Sequence, residues 1–185
     1  MPGSRTLILM RHATAGHQGA STDHDRPLTA EGLKEAADAG DWIRQNLPPV
    51  DAVLCSSAVR TRQTVTAARI DAPATFPEEL YGGGIDDILE LFARLPDSAA
   101  TVLVVGHAPG IPATAAELVT IAALARAGNP ATEADDPAAA TDADPQLDGL
   151  RHFSAGALAV LTTTASWPEL SDHGADLRTV RLPGR

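Results

Sequence analysis

The sequence predicts a three-layer α/β/α sandwich on a mostly parallel central sheet, and three features predict it. Short, continuously apolar runs recur along the chain, as strands buried on both faces require. Several of them are followed by stretches whose apolar residues repeat at helical spacing. Strands alternating with helices need crossovers, which are right-handed and cover both faces of the sheet.

Thr6-Leu7-Ile8-Leu9-Met10 is the first apolar run, bounded by charge and ending in Arg11-His12. Thr29 then offers an N-cap with Glu31 in the first turn, and Leu33, Ala36, Ala37, Gly40, Ile43 and Leu47 keep helical spacing until Pro48-Pro49. Asp51 to Cys55 predicts a second strand, with Ser56 and Ser57 as cap candidates for a helix from Ala58 to about Ile70. Ile85, Ile88, Leu89, Phe92 and Leu95 mark a third helix, opened by Asp86-Asp87 and closed by Pro96. Thr101-Val102-Leu103-Val104-Val105 is the strongest strand signal, broken by Gly106-His107-Ala108-Pro109-Gly110 and followed by a helix from Pro112 to Ala127. Ala157 to Leu161 and Leu177 to Arg181 predict two final strands.

A length of 185 residues suits one domain over 1–185. Gly128 to Gly149 departs from the pattern, being rich in Ala, Asp, Pro and Thr without a large apolar residue before Leu147. Such a segment buries too little to offset its ordering entropy, so a flexible acidic insertion is expected there. The balance of 24 Asp plus Glu against 14 Lys plus Arg gives a net charge of -10. That charge repels phosphate backbones and anionic bilayers, so neither nucleic acid nor a membrane is an expected partner. The single cysteine, Cys55, cannot form an internal disulfide, and a reducing, cytoplasmic setting is expected. The run Leu7 to Met10 is too short for a signal peptide and no later stretch reads as a membrane span, so the protein is expected to be soluble and not exported.

Chemistry concentrates at the strand ends. Arg11-His12 follows the first strand and Gly106-His107 the strongest one, and ligands of such sheets bind beyond the carboxyl ends of the strands. Arg60 falls in the first turn of the helix after the second strand, at a helix end that favours anions. Two arginines, two histidines and a helix N-terminus make an oxyanion site. His17, His24, His152 and His173 lie in polar, loop-like contexts and read as surface residues, and no pair has the spacing of a metal site. Cys55 precedes Arg60 by five residues and Arg62 by seven, missing on both sides the six that a cysteine phosphatase uses; a buried strand-end thiol is its expected role.

These residues carry a family resemblance. Leu7 to Ala13 resembles the Arg-His-Gly signature of the histidine phosphatase, or phosphoglycerate mutase-like, superfamily, and Asp25-Arg26-Pro27-Leu28-Thr29-Ala30-Glu31-Gly32 is similar to its Arg-Pro-Leu-Thr helix entry. Ser56 to Thr64 resembles its second arginine motif, whose register selects Arg60, and Val104 to Gly110 its second histidine motif. The four stand in family order from Arg5 to about Gly110, with a weaker match from Ser154 to Leu161. The chain looks most like the small, SixA-like phosphohistidine phosphatase branch. Ala13 stands where the signature has glycine, which is expected to add a methyl group beside the phosphate pocket.

The resemblance implies a phosphoglycerate mutase-like fold and a two-step reaction in which His12 takes up the phosphoryl group and water releases it. Arg11, Arg60 and His107 would bind the phosphoryl oxygens with His12. Larger members add a glutamate as proton donor, for which Glu78 and Glu79 both compete, whereas a SixA-like register uses neither. A phosphohistidine has a better leaving group than an ester and needs an acid less. The implied substrate is a phosphorylated protein or a small phosphorylated metabolite. A small-molecule phosphomonoesterase is the alternative activity, and a non-catalytic phosphate-binding module the alternative of another class. No metal or organic cofactor is implied.

Overall fold

The computed structural model describes residues 3–17, 19–127 and 145–184. Its elements are β1 (Arg5–Arg11), α1 (Ala30–Asn46), β2 (Ala52–Cys55), α2 (Val59–Ala68), β3 (Ala74–Thr75), α3 (Glu79–Gly82), α4 (Ile85–Ala93), β4 (Thr101–Gly106), α5 (Gly110–Ala127), α6 (Pro145–Arg151), β5 (Leu158–Thr163), α7 (Leu170–His173) and β6 (Asp176–Arg181), with a short 3-10 turn at Trp167–Glu169. The six strands form one sheet in the order β3-β2-β4-β1-β5-β6. β1, β2, β3 and β4 are parallel, while β5 runs antiparallel to β1 and β6 antiparallel to β5. The sheet is mostly parallel, as expected, and the two late strands supply its antiparallel edge.

Alternation along the strands splits the core into two layers. Leu7 and Leu9 of β1, with Val102 and Val104 of β4, face Phe92 of α4 and Leu118 of α5, and Trp167 closes that layer. Ile8, Met10, Leu103 and Val105 face Ala39 and Ile43 of α1 on the other side. The continuous apolar runs are thus strands buried twice over. Thr29 caps α1 as its sequence predicts, its Oγ1 accepting from the Gly32 amide at 3.0 Å.

Two expectations are corrected. Most of the insertion expected at 128–149 lies outside the described residues, but its last part belongs to α6. That helix is tied to the domain because Leu150 is buried in the core and a Cβ on Gly149 would stand 3.0 Å from Val180, so Gly149 permits close contact with β6. The second concerns α5, an 18-residue helix of mean hydropathy 1.2, long and apolar enough by those measures to cross a membrane. Its Ile111, Ala115, Leu118 and Ala122 are instead buried within this fold.

α1 is held close by glycine. A Cβ on Gly40 would meet the Ala68 carbonyl oxygen at 1.9 Å, and one on Gly32 the Thr14 carbonyl oxygen at 2.0 Å. Backbone on one side and helix on the other leave no flexible group to yield. Gly40→Ala is expected to lower the unfolding free energy by about 3 kcal/mol, read from the urea midpoint. A loss below about 1 kcal/mol would mean that α1 and α2 separate freely.

Candidate active site

The parallel register of β1 with β4 sets Arg11 beside Gly106, so the residues that follow each strand emerge together at its carboxyl end. The His12 amide donates to the Gly106 carbonyl at 3.0 Å, and the His12 and His107 rings stand 5.1 Å apart at 60°. α2 brings Arg60 to the same place. A cavity of about 400 Å³ is lined there by Arg11, His12, Thr14, Ala15, Arg26, Arg60, His107, Ala108 and Ala155. The structure therefore brings together Arg11, His12, Arg60 and His107, the four core residues singled out in the sequence.

Nδ1 of His12 lies 2.8 Å from the Ala13 carbonyl oxygen. A carbonyl only accepts, so Nδ1 carries the proton and Nε2 keeps a free lone pair. Burial, reinforced by the charges of Arg60, Arg11 and Arg26 and opposed by the bond to Ala13, holds the ring's pKa down at about 4. His12 is neutral at neutral pH, the form in which it is a nucleophile.

Arg60 is only 6% exposed. Its Nη1 donates to the Asp23 carbonyl at 2.6 Å, and its Nη2 donates to Asp23 Oδ2 at 3.0 Å and to His107 Nδ1 at 3.2 Å. Because a guanidinium only donates, Nδ1 of His107 is the acceptor and Nε2–H donates to Ser56 Oγ at 2.8 Å. Burial first, and Arg60 next, push His107 down to about 3. Both ring nitrogens are thus engaged: in this arrangement His107 steadies Arg60, and donating to a phosphoryl oxygen requires its Nε2–H to exchange the Ser56 contact. Arg11 is anchored through Nη1 on the Phe153 carbonyl at 3.0 Å. The Nε atoms of Arg11 and Arg60 are buried without a hydrogen-bond partner among the described residues. Such orphaned donors are costly unless an anion satisfies them.

Several further residues contribute to the site. Ser56 does not cap α2, which starts after Ala58 without a side-chain cap; it orients His107 instead. Arg26, part of the helix-entry motif, lines the cavity, with Nε on the Gly16 carbonyl at 3.1 Å and Nη1 on Asp23 Oδ1 at 3.0 Å. Its signal was its place directly before Pro27-Leu28-Thr29. Asp23 bridges Arg26 and Arg60, and the bond from Arg26, with the charge and hydrogen bond of Arg60 and the Tyr81 hydroxyl, keeps its pKa at about 2. His24, read as a surface residue, contacts the Tyr81 ring at 5.0 Å and Ser57 Oγ at 3.1 Å. No sequence spacing announces these loop contacts.

Ala13 is also corrected. Its side chain is fully buried against Leu28 and Ala36, with the backbone at negative φ and the amide donating to Thr64 Oγ1 at 3.1 Å. Its methyl therefore lies in a small core of its own and does not line the cavity. Neither Glu78 nor Glu79 lines it either. Glu78 accepts from Ser57 Oγ at 3.2 Å, and Glu79 pairs with Arg94 at 3.2 Å.

The lowered histidine values carry a stability prediction. An unfolded histidine protonates near 6.5, whereas His12 in the fold resists protonation to about 4. The unfolded chain binds more protons between those values, so stability present above 6.5 is lost as pH falls toward 4. At pH 5 the share of His12 is on the order of 1–2 kcal/mol, a few degrees in Tm. His12→Asn is expected to flatten the fall of Tm between pH 7 and 5; equal slopes would show that His12 titrates normally in the fold.

Comparison with known proteins supplies the family. Residues 7–81 match the histidine phosphatase superfamily (branch 1). An uncharacterized protein of Mycobacterium tuberculosis is 49% identical over 112 residues, 60% of this chain and 71% of that protein. Phosphohistidine phosphatase SixA of Escherichia coli (strain K12) is 29% identical over 118 residues, 60% of this chain and 73% of that protein. A structure from Nakamurella multipartitia, named as a candidate phosphohistidine phosphatase SixA, superposes with a TM-score of 0.87 at 50% identity, covering 99% of this chain and 98% of that one. It shares the phosphoglycerate mutase-like fold. The chain belongs to the histidine phosphatase superfamily, in its SixA-like branch, and is a phosphatase.

Proposed function

We propose that the chain is a protein phosphohistidine phosphatase with His12 as its nucleophile. The observation that carries the reading is a neutral His12, its Nδ1 tied to Ala13, in a cavity lined by Arg11, Arg26 and Arg60 and, among the described residues, by no carboxylate. Nε2 forms a bond to phosphorus as the bond to the leaving group breaks, and the electron pair of that bond departs with the leaving group. Arg11 and Arg60 hold the phosphoryl oxygens, their buried Nε–H groups gaining an acceptor as charge spreads over those oxygens. His107 keeps Arg60 in place through Nδ1 and joins the oxygens when its Nε2–H turns from Ser56 to the phosphoryl group. Water then attacks the phosphohistidine on His12 and releases phosphate.

The substrate follows from the lining. An alkoxide leaving group needs a proton from a nearby acid, whereas an imidazole whose distal nitrogen is protonated leaves as a neutral ring. A cavity without Asp or Glu among its described lining residues favours the second. A phosphomonoesterase is the second reading, favoured by the bond between Glu78 and Ser57, next to the Ser56 that orients His107. The experiment compares kcat/KM on a phosphohistidine peptide with that on a panel of small phosphomonoesters. Phosphohistidine is expected to lead by about a hundredfold or more, the scale of general-acid assistance that an ester would lack. A faster ester would make the protein a small-molecule phosphatase and call for a proton donor, Glu78 or Glu79, brought to the cavity on substrate binding.

A further inference from the structure

Beside the cavity around His12 lies a second, of about 420 Å³, and the two share His107 and Ala108. Their linings differ in kind. The first holds three guanidinium groups, whereas the second is walled by Ile85, Ile88, Pro109, Ile111 and Tyr81 and by the backbone of Gly82-Gly83-Gly84. Among the described residues, no Asp, Glu, Lys or Arg lines it. A group that crosses from one to the other passes His107, whose ring meets the Tyr81 ring edge-on at 5.5 Å and 82°.

We propose that this second cleft is the leaving-group subsite and that it takes an uncharged, flat group, the imidazole ring of a phosphohistidine together with its neighbouring peptide. The assignment of the ring rests on the phosphohistidine reading above. A charged leaving group, such as the carboxylate of a small phosphorylated acid, would lose its hydration in this cleft without finding a counter-ion. A neutral ring instead gains by covering apolar surface, at roughly 25 cal/mol per Å², and Tyr81 offers it an aromatic edge or face. The charged phosphoryl group stays in the arginine-lined cavity. Gly82 lines the cleft and has room for a side chain: a Cβ on it would meet nothing within 4 Å, and its φ is not in the left-handed region. A side chain there fills the opening without straining the fold.

The test uses Gly82→Leu and two P–N probes, a phosphohistidine peptide and phosphoramidate, whose ammonia leaving group is too small to enter the cleft. The expected result is a fall of about tenfold or more in the ratio of kcat/KM for the peptide over that for phosphoramidate, the size of about one lost apolar contact group. Ile85→Asp provides a second variant; it stands at the first position of α4, where a carboxylate suits the helix N-terminus, and it puts charge at the cleft. The same fall is expected. An unchanged ratio in both variants overturns the subsite. If the wild type leaves both P–N probes intact but hydrolyses phenyl phosphate, the phosphohistidine reading and the imidazole assignment fail together. The cleft is then judged on phenyl against methyl phosphate: a tenfold fall in that ratio in Gly82→Leu supports an aromatic leaving-group subsite, and no fall overturns it.

Discussion

His12→Ala is expected to lower kcat on a phosphohistidine peptide by about ten-thousandfold or more, the scale seen when a covalent nucleophile is removed and only binding and charge stabilisation remain. The substitution removes the one lone pair that the Ala13 carbonyl leaves free, and no other cavity residue offers a replacement, since both nitrogens of His107 are already engaged. Rapid-quench labelling supplies the second reading. Wild-type protein should form an acid-labile, alkali-stable phosphoryl adduct during turnover, and His12→Ala should form none. Activity within tenfold of wild type, or an adduct in the variant, would remove His12 as nucleophile.

Arg60→Ala should be the next largest effect, a loss in kcat of about a hundredfold to a thousandfold, the range measured for a single preorganised donor. Arg60 holds His107 and is itself held by both the carbonyl and the carboxylate of Asp23, so its loss frees two partners as well as one guanidinium. With the Arg60 charge gone, one cause of the low His107 value is removed, and the pKa of His107 should rise toward its ordinary range. Proton NMR of the His107 ring reads that change directly. Arg60→Lys keeps the charge without the planar fork and should recover only part of the rate. A loss of less than tenfold in Arg60→Ala would assign phosphoryl binding to Arg11 and Arg26.

The places where the sequence was silent share a physical character. Local rules were enough for the strand and helix cores, because continuous apolar runs and helical periodicity report burial directly: β1, β2, β4, α1, α4 and α5 stand within a few residues of expectation. They were also enough to put Arg11, His12, Arg60 and His107 at strand and helix ends that open into one cavity. The short elements β3, α3 and α7 carry too few residues to show a period. Ser56 looked like a helix cap because serine caps helices in general, and only the position of β4 could show that its hydroxyl faces His107.

What the sequence by itself determined is the alternation of layers and the strand and helix ends at which Arg11, His12, Arg60 and His107 stand, since each element depends on a contiguous stretch and its own periodicity. What only the tertiary structure decided is which side chains outside the strand ends meet at or beside that site. Asp23 on Arg60, Arg26 in the cavity wall, Tyr81 against His107 and the engagement of Glu79 by Arg94 all join segments distant in sequence. The protonation of His12 belongs to the same class: its value near 4 is set chiefly by desolvation, which exists only once the surrounding elements have packed.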